Sequence, residues 1–220
     1  MNRQEKDIRE IISGRKMNRF SLNKRRDSAV LIPLVEKDGR LDVLFEVRNQ
    51  KIRQGGEVCF PGGRIEEGES ARHTAVRETS EELLLPEDKV EVLGPMYSST
   101  GPGGAEVRSY VGLLHDYHDT FRLSEVDHIF RLPLQWLLDY SPEIHEADMV
   151  ISPRSDFPFD LIEKNGQPYP FQKITRNYYF FKTEFGVIWG FTAELLYQFL
   201  ETVRTSSLWG ERLEKTREDR

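Results

Sequence analysis

The sequence predicts a mixed α/β fold, and three observations lead there. Two β-like apolar runs joined by Asp38-Gly39 open the body of the chain, and a glycine-rich loop, Gly55-Gly56 through Pro61-Gly62-Gly63, leads into a segment of helical periodicity. Strand-like and helical segments then alternate toward the C-terminus. The chain has 220 residues, 38% apolar and 31% charged, which suits one domain with a substantial core and a well-solvated surface. No internal repeat or low-complexity linker divides it.

Taken in order, residues 1–27 form a basic arm with a short amphipathic helix over 4–13, ended at Gly14, whose Ile8, Ile11 and Ile12 pack on the body. The body spans 28–205. Residues 28–35 and 41–47 read as strands of a hairpin, because Asp-Gly between β-like runs favours a two-residue turn. Helical spacing runs from Ser70 to Leu83, and Pro86 blocks continuation. Strands follow near 90–99 and 106–114, then a brief helix over 134–138 after Pro133. Further strands are expected between 149 and 190, with turns at Asn165-Gly166 and Phe185-Gly186, then a helix over 191–204. Residues 206–220 are a charged tail, expected to fray from Glu211 to Arg220.

The net charge of −6 is unevenly placed: residues 1–26 carry +6, so the remainder carries −12. So acidic a body is a poor nucleic-acid surface, and no nucleic-acid partner is expected. No apolar run approaches the length of a membrane span, and the N-terminus lacks the apolar core of a secretory signal. One cysteine, Cys59, excludes an internal disulfide framework. A cytoplasmic protein with no membrane partner is the expectation, and a homodimer is compatible with it.

Chemistry concentrates in Arg77-Glu78-Thr79-Ser80-Glu81-Glu82. On a helix, Glu78 and Glu82 lie one turn apart and Glu81 sits beside both, so three carboxylates crowd one quadrant. Arg77 can pair with Glu81 but cannot neutralise all three. A hard divalent cation, Mg²⁺ or Mn²⁺, would relieve the repulsion, and a carbonyl from Gly62 or Gly63 could complete its shell. A surface helix with scattered acids is the plain alternative.

The full spacing is more specific. Gly63, five residues, Glu69, seven residues, then Arg77-Glu78-Thr79-Ser80-Glu81-Glu82 resembles the Nudix box, G-x5-E-x7-R-E-U-x-E-E-x-G-U, where U is aliphatic. Thr79 stands at a U position and Leu84 replaces the second glycine, where a helix end takes left-handed backbone. The resemblance implies a Nudix α/β/α sandwich with a mixed sheet, to which the chain's own pattern adds an N-terminal helix and a C-terminal β/α extension. It implies hydrolysis of a nucleoside diphosphate linked to another moiety. Carried over by position, Glu78 and Glu82 would be principal metal ligands, Glu81 a ligand or general base, and Arg77 the orienter of the carboxylates. Glu69 would support the shell, and Gly62 would offer its carbonyl.

Upstream, Leu44-Phe45-Glu46-Val47-Arg48, Arg53, Gly56 and Phe60-Pro61-Gly62-Gly63 are similar to the extra motif of the coenzyme A pyrophosphatase branch, L-L-T-x-R-(S/A)-x3-R-x3-G-x3-F-P-G-G. Glu46 replaces Thr and Asn49 the small residue, and the gap from Arg53 to Gly56 is one residue shorter. Tyr110-Val111-Gly112-Leu113, Glu125 to Phe130, and Ile188-Trp189-Gly190-Phe191-Thr192-Ala193-Glu194 also resemble this branch. Its reaction would split coenzyme A or a derivative into 4′-phosphopantetheine and adenosine 3′,5′-bisphosphate. Arg48, Lys51 and Arg53, with Gly63, are the substrate-binding candidates, since cations suit the extra 3′-phosphate. ADP-ribose, a dinucleotide or an oxidised nucleoside triphosphate are alternative substrates, and a non-catalytic nucleotide-binding regulator is the rival from another class.

Cys59 is read as a packing residue, because no His/Asp pair accompanies it. Glu125 and Asp127 are read as capping residues, with reach to the metal site as the alternative. The aromatic series Phe157, Phe159, Tyr169, Phe171, Tyr178 to Phe181 and Trp189 is read mostly as strand core, with one or two members on ligand.

Overall fold

A computed structural model describes residues 27–101, 104–162 and 169–207. Strands β1 (Ser28–Lys37) and β2 (Arg40–Arg48) form the expected hairpin, with Leu34 opposite Val43. Asp38 and Gly39 both take positive φ, 52° and 75°, as a turn matching the strands' right-handed twist requires. Short strands β3 (Val58–Cys59) and β4 (Gly62–Arg64) follow, then helix α1 (Ala71–Leu83). Next come β5 (Val90–Thr100), β6 (Glu106–Leu114), β7 (Val126–Pro133), α2 (Leu134–Asp139), β8 (Glu143–Met149), β9 (Ile174–Thr183), β10 (Gly186–Ile188) and α3 (Gly190–Arg204).

The main sheet has seven strands in the order β3-β2-β1-β6-β5, with β4 also on β1 and β7 also on β2. The β1–β6 pairing is parallel and the others are antiparallel, so the sheet is mixed. Alternation along the strands sorts the core. Leu31, Val35 and Leu44 pack with Val76 and Leu83 of α1, while Ile32, Leu34, Val43 and Phe45 pack with Leu195, Leu196 and Phe199 of α3. Helices on both faces explain why β1 and β2 read as nearly unbroken apolar runs. This is the α/β/α sandwich, and residues 143–188 add a three-stranded sheet, β10-β9-β8.

Helix α1 begins where the sequence predicts. Ser70 Oγ accepts the His73 N–H at 3.2 Å, closing the N-terminus. Leu84 adopts the left-handed conformation, φ 53° and ψ 42°, without the glycine that favours it. The N–H groups of Leu84 and Leu85 both donate to the Ser80 carbonyl, so the cap forms regardless. Thr79, at an expected aliphatic position, is fully buried, and its hydroxyl donates to the Ala75 carbonyl at 2.6 Å.

Four strands escape the sequence reading, and two of them, β3 and β4, are short pieces within the expected glycine-rich loop. β7 carries His128 and Arg131 among its apolar residues and is held by its ladder with β2, Phe45 opposite Phe130. β8 has no apolar face, and its pairing with β9 alone defines it. The aromatic series is also less buried than expected. Of its nine members only Phe181 is fully buried, whereas Phe157, Phe159, Tyr169 and Phe171 stack edge to face near the surface. The predicted helix at 4–13, the turn at Asn165-Gly166 and the tail at 211–220 lie outside the described residues.

Candidate active site

Arg77 is the hub of the acidic constellation. Its guanidinium grips Glu69 with two bonds, Nε to Oε1 at 2.9 Å and Nη2 to Oε2 at 3.2 Å. The same group reaches Glu78 Oε1 at 2.9 Å and Glu81 Oε1 at 3.4 Å. Three of the four predicted carboxylates therefore share one cation. Hydrogen bonds from Arg77 bring the Glu69 pKa down to about 2, and those bonds in turn raise the Arg77 pKa.

Glu82 stands apart. It is 6% exposed, and the Gly62 N–H donates to its Oε2 at 2.9 Å. Burial pushes its pKa up to about 8 against the help of that N–H, and the charges of Glu78 and Glu125 push the same way as burial. Glu78 is raised for the same first reason, burial, with Arg77 opposing.

The residue that sequence reasoning missed is Glu46. Strand period places it on the Leu44 face of β2, beneath α1, where it is 1% exposed and in hydrogen-bond contact with Glu82. Its Oε1 is buried without a hydrogen-bond partner among the described residues. Burial, then Glu82, holds its carboxyl well above the usual range. A signal exists in the sequence: an acid inside the apolar run Val43-Leu44-Phe45-Glu46-Val47 of a strand covered on both faces.

Glycine is required where strand and helix meet. A Cβ on Gly63 would sit 2.3 Å from Cδ of Glu78, and one on Gly62 would sit 2.4 Å from the Ala29 carbonyl oxygen. Gly62 meets the carboxylates through its N–H, whereas the sequence reading expects its carbonyl to serve there. The loop before β7 is pinned to the end of α1, since the Arg122 N–H donates to the Glu82 carbonyl at 2.7 Å and Arg122 Nε to the Glu81 carbonyl at 3.0 Å. That brings Glu125 near enough for its charge to act on Glu46, Glu78 and Glu82, whereas Asp127 pairs with His128.

Gly62 and Gly63 also wall a cavity of about 460 Å³ on the α3 side of the sheet. Arg48 lines it; the side chains of Lys51 and Arg53 are exposed and outside its walls. Arg48 Nε donates to the Arg53 carbonyl at 3.1 Å. Cys59 lines the same cavity, and burial raises its thiol pKa, which makes it a poor nucleophile and agrees with a packing role.

Among the described residues no three carboxylate, histidine or cysteine side chains converge on one point, because Arg77 draws Glu78 and Gly62 holds Glu82. The donor set nevertheless fits a hard divalent cation. Glu46, Glu78 and Glu82 are oxygen donors, partly or wholly buried; only Glu78 has an ion pair among the described residues, and one buried oxygen of Glu46 is unpartnered.

An α/β/α sandwich whose acidic helix follows a Gly-Gly strand is the architecture that the box resemblance implies. Residues 24–151 match the NUDIX domain family, and the chain belongs to that family. Over 203 residues it is 30% identical to an uncharacterized Nudix hydrolase NudL of Photorhabdus laumondii, covering 86% of this chain and 96% of that protein. It is 33% identical over 149 residues to the peroxisomal coenzyme A diphosphatase NUDT7 of Mus musculus, covering 66% of this chain. It is 41% identical over 134 residues to the peroxisomal coenzyme A diphosphatase ndx-8 of Caenorhabditis elegans, covering 57% of this chain. The chain spans 60% of the mouse protein's length and 55% of the nematode protein's.

Proposed function

We propose that the protein hydrolyses the diphosphate linkage of coenzyme A or a coenzyme A derivative, releasing 4′-phosphopantetheine and adenosine 3′,5′-bisphosphate, with Mg²⁺ or Mn²⁺ as cofactor. The observation that carries this reading is the pair of buried carboxylates Glu46 and Glu82, neither in an ion pair among the described residues, with the half-buried Glu78 against Gly63; Gly62 and Gly63 also line a cavity large enough for half of such a substrate. The coenzyme A diphosphatase relatives and the motif through Arg48 support the substrate class.

Each residue has a role in that reading. Glu78 and Glu82 hold the cation, and Glu46 stands behind Glu82 and orients it. Arg77 keeps Glu69, Glu78 and Glu81 in register while leaving Glu82 free of its grip. Glu81, 46% exposed, reaches solvent and serves as ligand or as the base that takes a proton from the attacking water. Gly63 lets the Glu78 carboxylate sit directly against the strand that lines the cavity. Arg48 offers positive charge to phosphate from within the cavity wall. A bound divalent cation supplies polarisation of phosphoryl oxygens and a more acidic water.

A substrate panel tests the reading: coenzyme A, dephospho-coenzyme A, ADP-ribose, a dinucleotide and an oxidised nucleoside triphosphate, each with and without Mg²⁺ and with product analysis. Metal-dependent release of adenosine 3′,5′-bisphosphate from coenzyme A as the fastest reaction is expected. Faster turnover of another member would replace the substrate, and no turnover of any would favour a binding protein.

A further inference from the structure

The cavity beside Gly62–Gly63 is built from two parts of the chain. Val30 and Val107 come from strands of the family domain and Phe60 from the turn between β3 and β4, but Trp189, Phe191 and Leu195 come from the segment beyond residue 151, where the family match ends. Two large aromatic side chains in this wall stay open to solvent: Trp189 is 46% exposed and Phe191 36%. Both are held in place. Trp189 lies nearly parallel to Phe180, 5° between planes with centroids 6.5 Å apart. Phe191 carries the Arg176 guanidinium 5.6 Å from its ring centre. Arg176 is itself fixed by an ion pair with Glu194 and by bonds to Ser99 Oγ at 2.9 Å and the Thr100 carbonyl at 3.1 Å.

Exposed aromatic rings that are held from behind cost apolar hydration in the free protein and gain by covering a flat partner. Gly62 and Gly63 line the cavity, and Gly63 also abuts the Glu78 carboxylate, so a ligand in the cavity lies next to the strand that borders the acidic cluster. We propose that Trp189 and Phe191 form a stacking platform for the purine ring of the substrate, so that the C-terminal extension selects the nucleotide half of the molecule. A pantetheine chain is narrow, flexible and without a π face, and gains little from such a platform. A purine gains dispersion over its whole plane, and Arg48 in the same wall suits the phosphates attached to its ribose. The inference rests on the diphosphate reading above, and it makes the platform a determinant of binding rather than of bond cleavage.

The test has two arms on the full chain. In the metal-free protein, adenosine 3′,5′-bisphosphate is expected to quench tryptophan emission while 4′-phosphopantetheine does not. The quench should vanish in Trp189→Phe, which leaves Trp136 and Trp209 as background. In the metal-loaded enzyme, Trp189→Ala and Phe191→Leu are expected to raise KM for coenzyme A by about tenfold with kcat within about twofold, the scale of one base–aromatic stack. Trp189→Phe should keep most of the affinity. Quenching by 4′-phosphopantetheine in place of the nucleotide, or unchanged KM in both truncations, would overturn the platform while leaving hydrolysis intact. If no diphosphate substrate is hydrolysed, the reading of function fails, and the nucleotide quench still decides the platform by itself.

Discussion

Glu69 and Glu82 are the same residue type at two ends of one acidic cluster, and the fold treats them in opposite ways. Glu69 receives two hydrogen bonds from Arg77 and ionises far more readily than a free carboxyl, with a pKa of about 2. Glu82, buried with Glu46 at its back and one backbone N–H for company, is pushed up to about 8. The contrast separates the place where a cation is already built in from the place where one is still wanted. Arg77 is a structural counter-ion for one end, and the other end keeps an electrostatic deficit that a metal ion can fill.

The hardest test removes the carboxylate that lacks a counter-ion. Glu82→Gln is expected to lower Mg²⁺-dependent turnover by about 10³-fold or more, while thermal melting in chelator stays equal or rises. Near-normal activity would take Glu82 out of the metal site. Removing the built-in cation should act the other way: Arg77→Ala leaves Glu69 and Glu78 without their partner and should cost about 3 kcal/mol of stability in urea unfolding. A change below about 0.5 kcal/mol would mean the cluster is solvated like an ordinary surface.

A pH series sharpens the contrast, because the two ends have opposite signs. Glu69 binds its proton less tightly when folded than at its ordinary value of 4.5, so its contribution is present above that value and lost as pH falls toward about 2. Glu82 binds its proton more tightly when folded, so the metal-free protein is expected to lose stability as pH rises from 4.5 to about 8. Chelated samples should show that decline, and Glu46→Gln, which removes one member of the buried pair, should flatten it. Saturating Mg²⁺ should reduce it as well, since binding releases the protons. A flat profile in chelator between those two pH values would contradict the burial argument.

Two smaller effects follow from local geometry. Arg48 lines the cavity and Arg53 does not, so Arg48→Ala should slow coenzyme A hydrolysis more than dephospho-coenzyme A hydrolysis, and Arg53→Ala should change both little. Equal losses on the two substrates for Arg48→Ala would deny it the 3′-phosphate. Leu84→Gly should stabilise the fold by about 1 kcal/mol, because the left-handed cap is kept and the leucine there is 53% exposed. A loss of stability would show that the leucine packs more than its exposure suggests.

Much of this is legible along the chain because it depends on near neighbours. The Asp38-Gly39 turn, the helix opening at Ser70 and the spacing from Gly63 through Glu82 are interactions across a few residues or a few helical turns. β7 and β8 are not legible, since mixed or polar strands are fixed by pairing with β2 and β9 rather than by an apolar pattern. The same limit applies to Arg48, Lys51 and Arg53, which look equivalent in sequence until the cavity wall admits one of them.

Periodicity and turn chemistry are local, so residue order alone was enough to reveal the box, its carboxylates and the domain that carries them. It took the folded arrangement to put Glu46 behind Glu82, to keep Arg77 away from Glu82, and to bring Trp189 and Phe191 into one cavity wall with Gly62 and Gly63. Burial and electrostatic environment are sums over side chains far apart in the chain, and no stretch of sequence contains that sum.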